Sequence, residues 1–196
     1  FASRDIAPGQ HVHTQNCAFG EFDRDYAFAK DAKPEPLLPE PERATFQGFR
    51  RASGRAGTRN YIGILTSVNC SATVAKLLAT EVDRSGMLHA YPNIDGVVPL
   101  VQANGCIVDS QGTIFDILRR TSWGYATNPN MGGVVMVGLG CEGFQIARFK
   151  ATYGIEETDR FRTMTIQESG GTRKTVDRGL AAIREMLPIV NDVRRE

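Results

Sequence analysis

The sequence predicts an α/β fold, a doubly wound and mainly parallel sheet in the order β-α-β-α-β-α-β-α, preceded by the tail of a small β domain. Three observations predict it. Short apolar runs of buried-strand length alternate with segments of helical periodicity. Glycine, proline and Asn-Pro-Asn signals punctuate the boundaries between them. A proline-rich stretch separates this regular region from what precedes it.

Taken in order, Ala7-Pro8-Gly9 is a turn signal, and the alternation Gln10-His11-Val12-His13-Thr14 predicts a strand. Residues 1–29 therefore read as the end of a small β domain, too short to bury a core alone. Residues 30–45 carry Pro34, Pro36, Pro39 and Pro41 among charges and read as an extended linker, because proline lacks the amide donor. Residues 46–190 form the regular domain. Tyr61–Leu65 is its first strand, and Ser71 is placed to cap a helix with Val74, Leu77, Leu78 and Val82 on its apolar face and Gly86 as its stop. Ile94–Val101 is the second strand. Asp109 or Ser110 is placed to cap a helix carrying Ile114, Ile117 and Leu118. Asn128-Pro129-Asn130 turns into the strand Val134–Val137, and a helix over Phe144–Tyr153 ends at Gly154. Phe161–Gln167 is the last strand, and Val176–Leu187 a helix stopped by Pro188. Buried strands alternating with amphipathic helices imply a sheet covered on both faces. The charged residues 191–196 read as a tail towards a further C-terminal domain, and Phe1 in place of Met reads as a chain cut from something longer.

The 196 residues are 41% hydrophobic and 23% charged, a globular balance, with a formal net charge of +1. That charge provides no field to hold a polyanion, which argues against nucleic acid as a partner. No apolar run is long enough to span a bilayer and no signal peptide opens the chain, so no membrane partner is expected. Four cysteines, Cys17, Cys70, Cys106 and Cys141, include no CxxC pair, and the expectation is a cytoplasmic protein with reduced thiols.

The positions of three of these cysteines carry the functional signal. Cys70, Cys106 and Cys141 each follow a predicted strand and precede a predicted helix. In a doubly wound sheet those strand ends share one edge, where ligands bind. Helix amino ends favour thiolates, and thiolates hold soft metals and iron–sulfur clusters. The alternatives are three small buried side chains or a disulfide between two of them. Gly138-Leu139-Gly140-Cys141-Glu142-Gly143 also spells GxGxxG between a strand and a helix, with Glu168 available as a ribose acid, so a nucleotide-binding module is a rival reading. His11 and His13 lie on one face of their predicted strand, as metal ligands or plain surface residues. Arg59 and Asn60, with Asn69, are candidates for binding a substrate carboxylate.

Gly57-Thr58-Arg59-Asn60, Val68-Asn69-Cys70-Ser71, Tyr91-Pro92-Asn93-Ile94-Asp95-Gly96-Val97, Asn128-Pro129-Asn130, Gly138-Leu139-Gly140-Cys141-Glu142 and Gly170-Gly171-Thr172-Arg173-Lys174-Thr175 together resemble the altronate/galactarate dehydratase family. The segment from Asp5 to Asn16 resembles the end of the small β-clip (SAF) domain that precedes this region in the family. The resemblance implies a hydro-lyase that converts altronate, galactarate or a similar sugar acid to a 2-keto-3-deoxy acid, dependent on iron. It also implies a large C-terminal domain, without which this chain is expected to be inactive. A relative in the same family acts on sulfolactate and releases sulfite. The implied iron is held by Cys70, Cys106 and Cys141, as a three-cysteine iron–sulfur cluster, or as Fe²⁺ bound partly by His11 or His13. Gln102 stands where the family has a histidine, and Ile107 where it has a glycine. Homo-oligomerisation is compatible with the sequence.

Overall fold

The computed structural model describes residues 1–21 and 29–196; residues 22–28, at the end of the expected small β domain, lie outside the described residues. The chain divides into two compact units, Phe1–Ala44 and Thr45–Glu196.

In the first unit the expected strand over residues 10–14 does not form. Asn16 explains why. Its buried side chain accepts from the His13 amide at 2.8 Å and donates to the His11 carbonyl at 2.8 Å. These are backbone groups that a ladder would use, and a local side-chain bond competes directly with a strand for them. The chain turns instead, with Asn16 and Cys17 both donating to the His13 carbonyl, and Cys17 forms an isolated antiparallel bridge with Ala2. The proline-rich segment is irregular apart from a 3-10 turn at Glu40–Glu42.

The second unit opens with a short antiparallel pair, β1 (Phe49–Arg50) and β2 (Ala56–Gly57). There follow β3 (Tyr61–Thr66), α1 (Ala72–Ser85), β4 (Gly96–Leu100), α2 (Thr113–Ala126), β5 (Met131–Gly138), α3 (Ile146–Tyr153), β6 (Phe161–Thr165), a short α4 (Ile166–Ser169) and α5 (Thr172–Asn191). The sheet order is β4-β3-β5-β6 and every pairing is parallel. This is the expected α/β architecture. Pro99 is accommodated because β4 is an edge strand and can spare one ladder donor.

The alternation of side chains along the strands sorts the core into two layers. Ile62 and Ile64 of β3, with Val135 and Val137 of β5, pack against Val74, Leu78 and Val82 of α1 and Ile183, Met186 and Leu187 of α5. On the other face Leu65, Val134 and Met136 meet Phe115 and Leu118 of α2 and Phe149 of α3.

Several local expectations are corrected. Leu77 is exposed and does not join the face of α1. Ser71 occupies the position before α1, but its hydroxyl donates to the Val68 carbonyl at 2.9 Å and does not cap. Ile114 and Ile117 face outward on α2, whose buried side is Phe115, Leu118 and Ser122. Asp109 accepts from the Gln111 amide at 3.0 Å, forming a turn ahead of the helix, and Gly112 takes the cap position. The last strand stops at Thr165, because Ile166 starts α4. Pro188 does not stop α5. A helix-interior proline costs about 3 kcal/mol. Burial of Leu187 and Val190 on either side offsets it, each side chain contributing roughly 1.5–3 kcal/mol. The residues after α5 return to β1: Gly48 and Glu196 exchange two backbone hydrogen bonds, at 3.0 and 2.9 Å.

Asn60 locks the amino-terminal edge of the sheet. It is fully buried, donates to the Asn93 and Val190 carbonyls at 2.7 and 2.9 Å, and accepts from Arg51 at 2.9 Å. Burial and the neighbouring Arg160 charge lower the pKa of Arg51 from its ordinary value. Asn60→Ala strands these partners and is expected to destabilise the unit by about 1–3 kcal/mol. Urea unfolding followed by circular dichroism measures this, and an unchanged midpoint would show that the lock contributes nothing.

Candidate functional site

Strand order places the site. β3 and β5 are neighbours, yet the chain leaves β3 for α1 on one face and leaves β5 for α3 on the other. This makes the carboxyl edge between β3 and β5 a topological switch point, the usual ligand position in open α/β sheets.

The switch point is occupied by the protein itself. Glu142 is 3% exposed. Its carboxylate accepts from the Ser67 hydroxyl at 2.5 Å and from the amides of Leu139 and Gly140 at 3.1 and 2.6 Å. Ser67 lies in the loop after β3, and Glu142 in the loop after β5, so this contact ties the two loops together. The loop after β4 completes the ring. Asn69 donates its amide to Asn104 at 2.9 Å, and Gly143 donates to Cys106 at 2.8 Å. Gln102 donates its side-chain amide to the Ser67 carbonyl, and its backbone amide to Thr66 Oγ1 at 3.1 Å. Gln102 thus has a stapling role in this chain. Ile107 is exposed.

All three cysteine loops stand on this edge. Cys70 and Cys141 are exposed and Cys106 is half-buried. The Cys70 thiol donates to Asn69 Oδ1 at 3.4 Å, and Cys141 Sγ accepts from Gln167 Nε2 at 3.2 Å. Only Cys70 stands at a helix start, since α2 begins at Thr113 and α3 at Ile146, each several residues beyond its cysteine. Among the described residues, no three His, Cys, Asp or Glu side chains converge closely enough to hold a metal ion. The donor set does not fit the expected three-cysteine iron site as it stands. His11 and His13, in the first unit, are exposed, and His13 Nδ1 accepts from the Gln15 amide at 3.3 Å.

The glycine run does not present the open amides of a nucleotide-binding loop. Its amides at Leu139 and Gly140, which would face a phosphate, are taken by Glu142. A Cβ on Gly138 would meet Glu142 Oε1, so the glycine makes room for an internal carboxylate. Glu168 Oε2 accepts from the Thr165 hydroxyl at 2.8 Å, in the first turn of α4, and is not free for a ribose. Arg59 and Asn60 precede β3, so its six residues, about 20 Å, separate them from the cysteines. Arg59 lies 4.0 Å from Asp95, and Asn60 is buried with its partners, so neither joins Asn69 on the rim.

Beside Cys141 a polar pocket of about 530 Å³ opens between α3, β6 and α5, lined by Gly140, Lys150, Glu157, Thr163, Gln167 and Arg178 among others. Within it Lys150 pairs with Glu157 at 3.1 Å. Burial would raise the Glu157 carboxyl, but the Thr163 and Lys150 hydrogen bonds outweigh it and hold the carboxyl below its ordinary range. Sequence reasoning missed Ser67, Glu142, Gln167 and this pocket. The available signal was Glu142 adjoining Cys141, and Gln167 at the end of the last apolar run.

This is an α/β domain with a parallel sheet whose switch-point loops are locked by a buried carboxylate. The chain belongs to the family described as "D-galactarate dehydratase/Altronate hydrolase, second domain", whose family model matches residues 48–191. It is 29% identical to altronate dehydratase of Bacillus subtilis (strain 168) over 197 aligned residues, which is 100% of this chain and 38% of that protein. It is 46% identical to galactarate dehydratase (L-threo-forming) of Escherichia coli (strain K12) over 116 residues, 59% of this chain and 22% of that protein. A third relative, (2R)-sulfolactate sulfo-lyase subunit beta of Chromohalobacter salexigens, is 27% identical over 78% of this chain and 34% of its own length. The chain thus spans well under half the length of these relatives. Among the described residues, no helix is long and apolar enough to cross a membrane.

Two outcomes follow for stability. Glu142→Ala leaves the buried Ser67 hydroxyl and the half-buried Leu139 and Gly140 amides unpaired and should cost about 1–3 kcal/mol, with Glu142→Gln, which keeps one acceptor oxygen, less affected; equal denaturation midpoints for all three proteins would contradict the clamp. Because the Glu157 pKa is depressed on folding, its contribution is present above the unfolded carboxyl pKa of about 4.3 and is lost as pH falls below it. Glu157→Gln should therefore lower the melting temperature at neutral pH and converge with the parent protein in acid, as a thermal scan across pH 3–7 would show.

Proposed function

We propose that this chain is part of a hydro-lyase that dehydrates a sugar acid such as altronate or galactarate to a 2-keto-3-deoxy acid. The family match over residues 48–191 carries the reading. The carboxyl-edge rim, with Cys70, Cys106 and Cys141 on three mutually bonded loops, supports it as the surface this domain contributes to the site.

Dehydration next to a carboxylate removes a weakly acidic α-proton and expels a poor leaving hydroxyl, so the developing enolate charge must be stabilised and the hydroxyl assisted. Iron, which the family resemblance implies, would supply Lewis-acid stabilisation of that charge; Cys70, Cys106 and Cys141 would be the residues of this chain to hold it, and no three metal-binding side chains converge among the described residues. The chemistry assigned to this chain is limited to binding and positioning. Exposed Cys70, Cys141 and Asn69 face solvent at the rim, and the loop ring beneath holds their backbone in place. Dehydration also needs a pocket that excludes water. An open rim does not provide one, so the reaction is assigned to the rim together with a covering C-terminal domain of the longer polypeptide.

The test compares a full-length protein carrying this sequence with the chain Phe1–Glu196, both supplied with iron under anaerobic conditions, by keto-acid formation from altronate and galactarate. The expected result is turnover by the full-length protein and none by the shorter chain. Comparable turnover by both would place the whole active site within these residues; turnover by neither on any sugar acid would remove the dehydratase reading.

A further inference from the structure

Resting on the sugar-acid reading above, we propose that the pocket between α3, β6 and α5 binds a polyhydroxy carboxylate, with Arg178 as its carboxylate anchor and Gln167 linking occupancy to Cys141. The cavity of about 530 Å³ falls within the range of small-molecule sites, roughly 300–1,000 Å³. Such sites are usually lined mostly by apolar groups. This one is lined by more polar than apolar surface, with Gln, Thr, Lys, Glu and Arg side chains outnumbering Ile146, Ala147 and Met164, which suits a ligand covered in hydroxyls.

Charge pairing narrows the class. Lys150 is committed to Glu157 at 3.1 Å, Glu157 also accepts from the Thr163 hydroxyl, and Glu168 accepts from Thr165 at 2.8 Å. The Arg178 side chain makes no hydrogen bond or ion pair with any other described residue. Of the two cations lining the pocket Arg178 is the uncommitted one, beside the acidic side chains of Glu168 and the buried Glu142, and its planar fork matches a carboxylate in a bidentate pair. A ligand with a carboxylate at one end and hydroxyls along its length meets the cation with one part and the amides and hydroxyls with the other.

The pocket also touches the rim. Gln167 lines it and donates to Cys141 Sγ at 3.2 Å, and the same side chain packs where a Cβ on Gly140 would sit. A ligand that takes the Gln167 N–H now given to Cys141, or that turns the Gln167 side chain to reach its other N–H or its carbonyl oxygen, changes the surroundings of that thiol and leaves Cys70, held by Asn69, as it was.

The test titrates the chain with galactarate by NMR, using glutarate, a dicarboxylate without hydroxyls, as a control, while iodoacetamide alkylation of Cys141 and Cys70 is followed by mass spectrometry. Expected are saturable galactarate binding, an affinity lower by about tenfold in Arg178→Gln, and less than about a twofold change in Arg173→Gln, which lines a different cavity. Galactarate should also alter the alkylation rate of Cys141 and not of Cys70. Absence of saturable binding, equal affinity in Arg178→Gln, equal affinity for glutarate, or identical effects on both thiols would overturn the proposal. The full-length assay separates this from the dehydratase reading. Turnover with an indifferent Arg178 removes the pocket and leaves the reaction, whereas Arg178-dependent galactarate binding without turnover removes the reaction and leaves the pocket.

Discussion

The carboxyl edge depends on a carboxylate buried without a counter-ion. Among the described residues Glu142 has no Lys or Arg partner, and its oxygens are met by one hydroxyl and two amides. A buried charge is tolerated only when its lone pairs are satisfied by well-placed donors. The donors come from both sides of the switch point, so satisfying Glu142 requires the loops after β3 and β5 to approach one another. These loops lead to α1 and α3, on opposite faces of the sheet. The third loop then bonds to both, through Asn104 and Cys106. A local electrostatic requirement thus fixes three backbones that topology alone would leave free.

The same requirement changes what the glycine-rich loop is for. In a nucleotide-binding unit the amides after the strand are left open for an external phosphate. Here an internal anion occupies them, and Gly138 supplies the space for it.

Much of the sheet was legible in the sequence, because apolar run length and turn residues act locally. β3 and β5 fall where the runs of Tyr61–Leu65 and Val134–Val137 put them, and Gly86 and Gly154, both at positive φ, end their helices as expected. Errors arose where a distant or side-chain contact decided the outcome. Asn16 diverted a strand that the alternation around His11 and His13 suggested. Packing of Leu187 and Val190 carried α5 through Pro188. The orientation of α2, with Phe115 inward and Ile114 outward, is set by the aromatic cluster of Phe144 and Phe149, which periodicity in one segment does not reveal. For the site, strand-end position located the cysteines but not where their side chains turn. Asn60 was read as a ligand group because a conspicuous polar residue beside a strand looks the same in sequence whether it binds substrate or holds two segments together.

The pairing of Gly48 with Glu196 has a mechanical consequence. The segment that enters the second unit and the segment that leaves it lie side by side and antiparallel, joined by two backbone hydrogen bonds. Tension applied at these two points would part the bonds one after the other, as a zipper opens, rather than load them together in shear. The first parting would peel the end of the unit away from β1 while the parallel sheet and its rim stayed intact. Neighbouring segments of polypeptide attached at these points could then pull or twist without transmitting that motion to the loops that Glu142 holds.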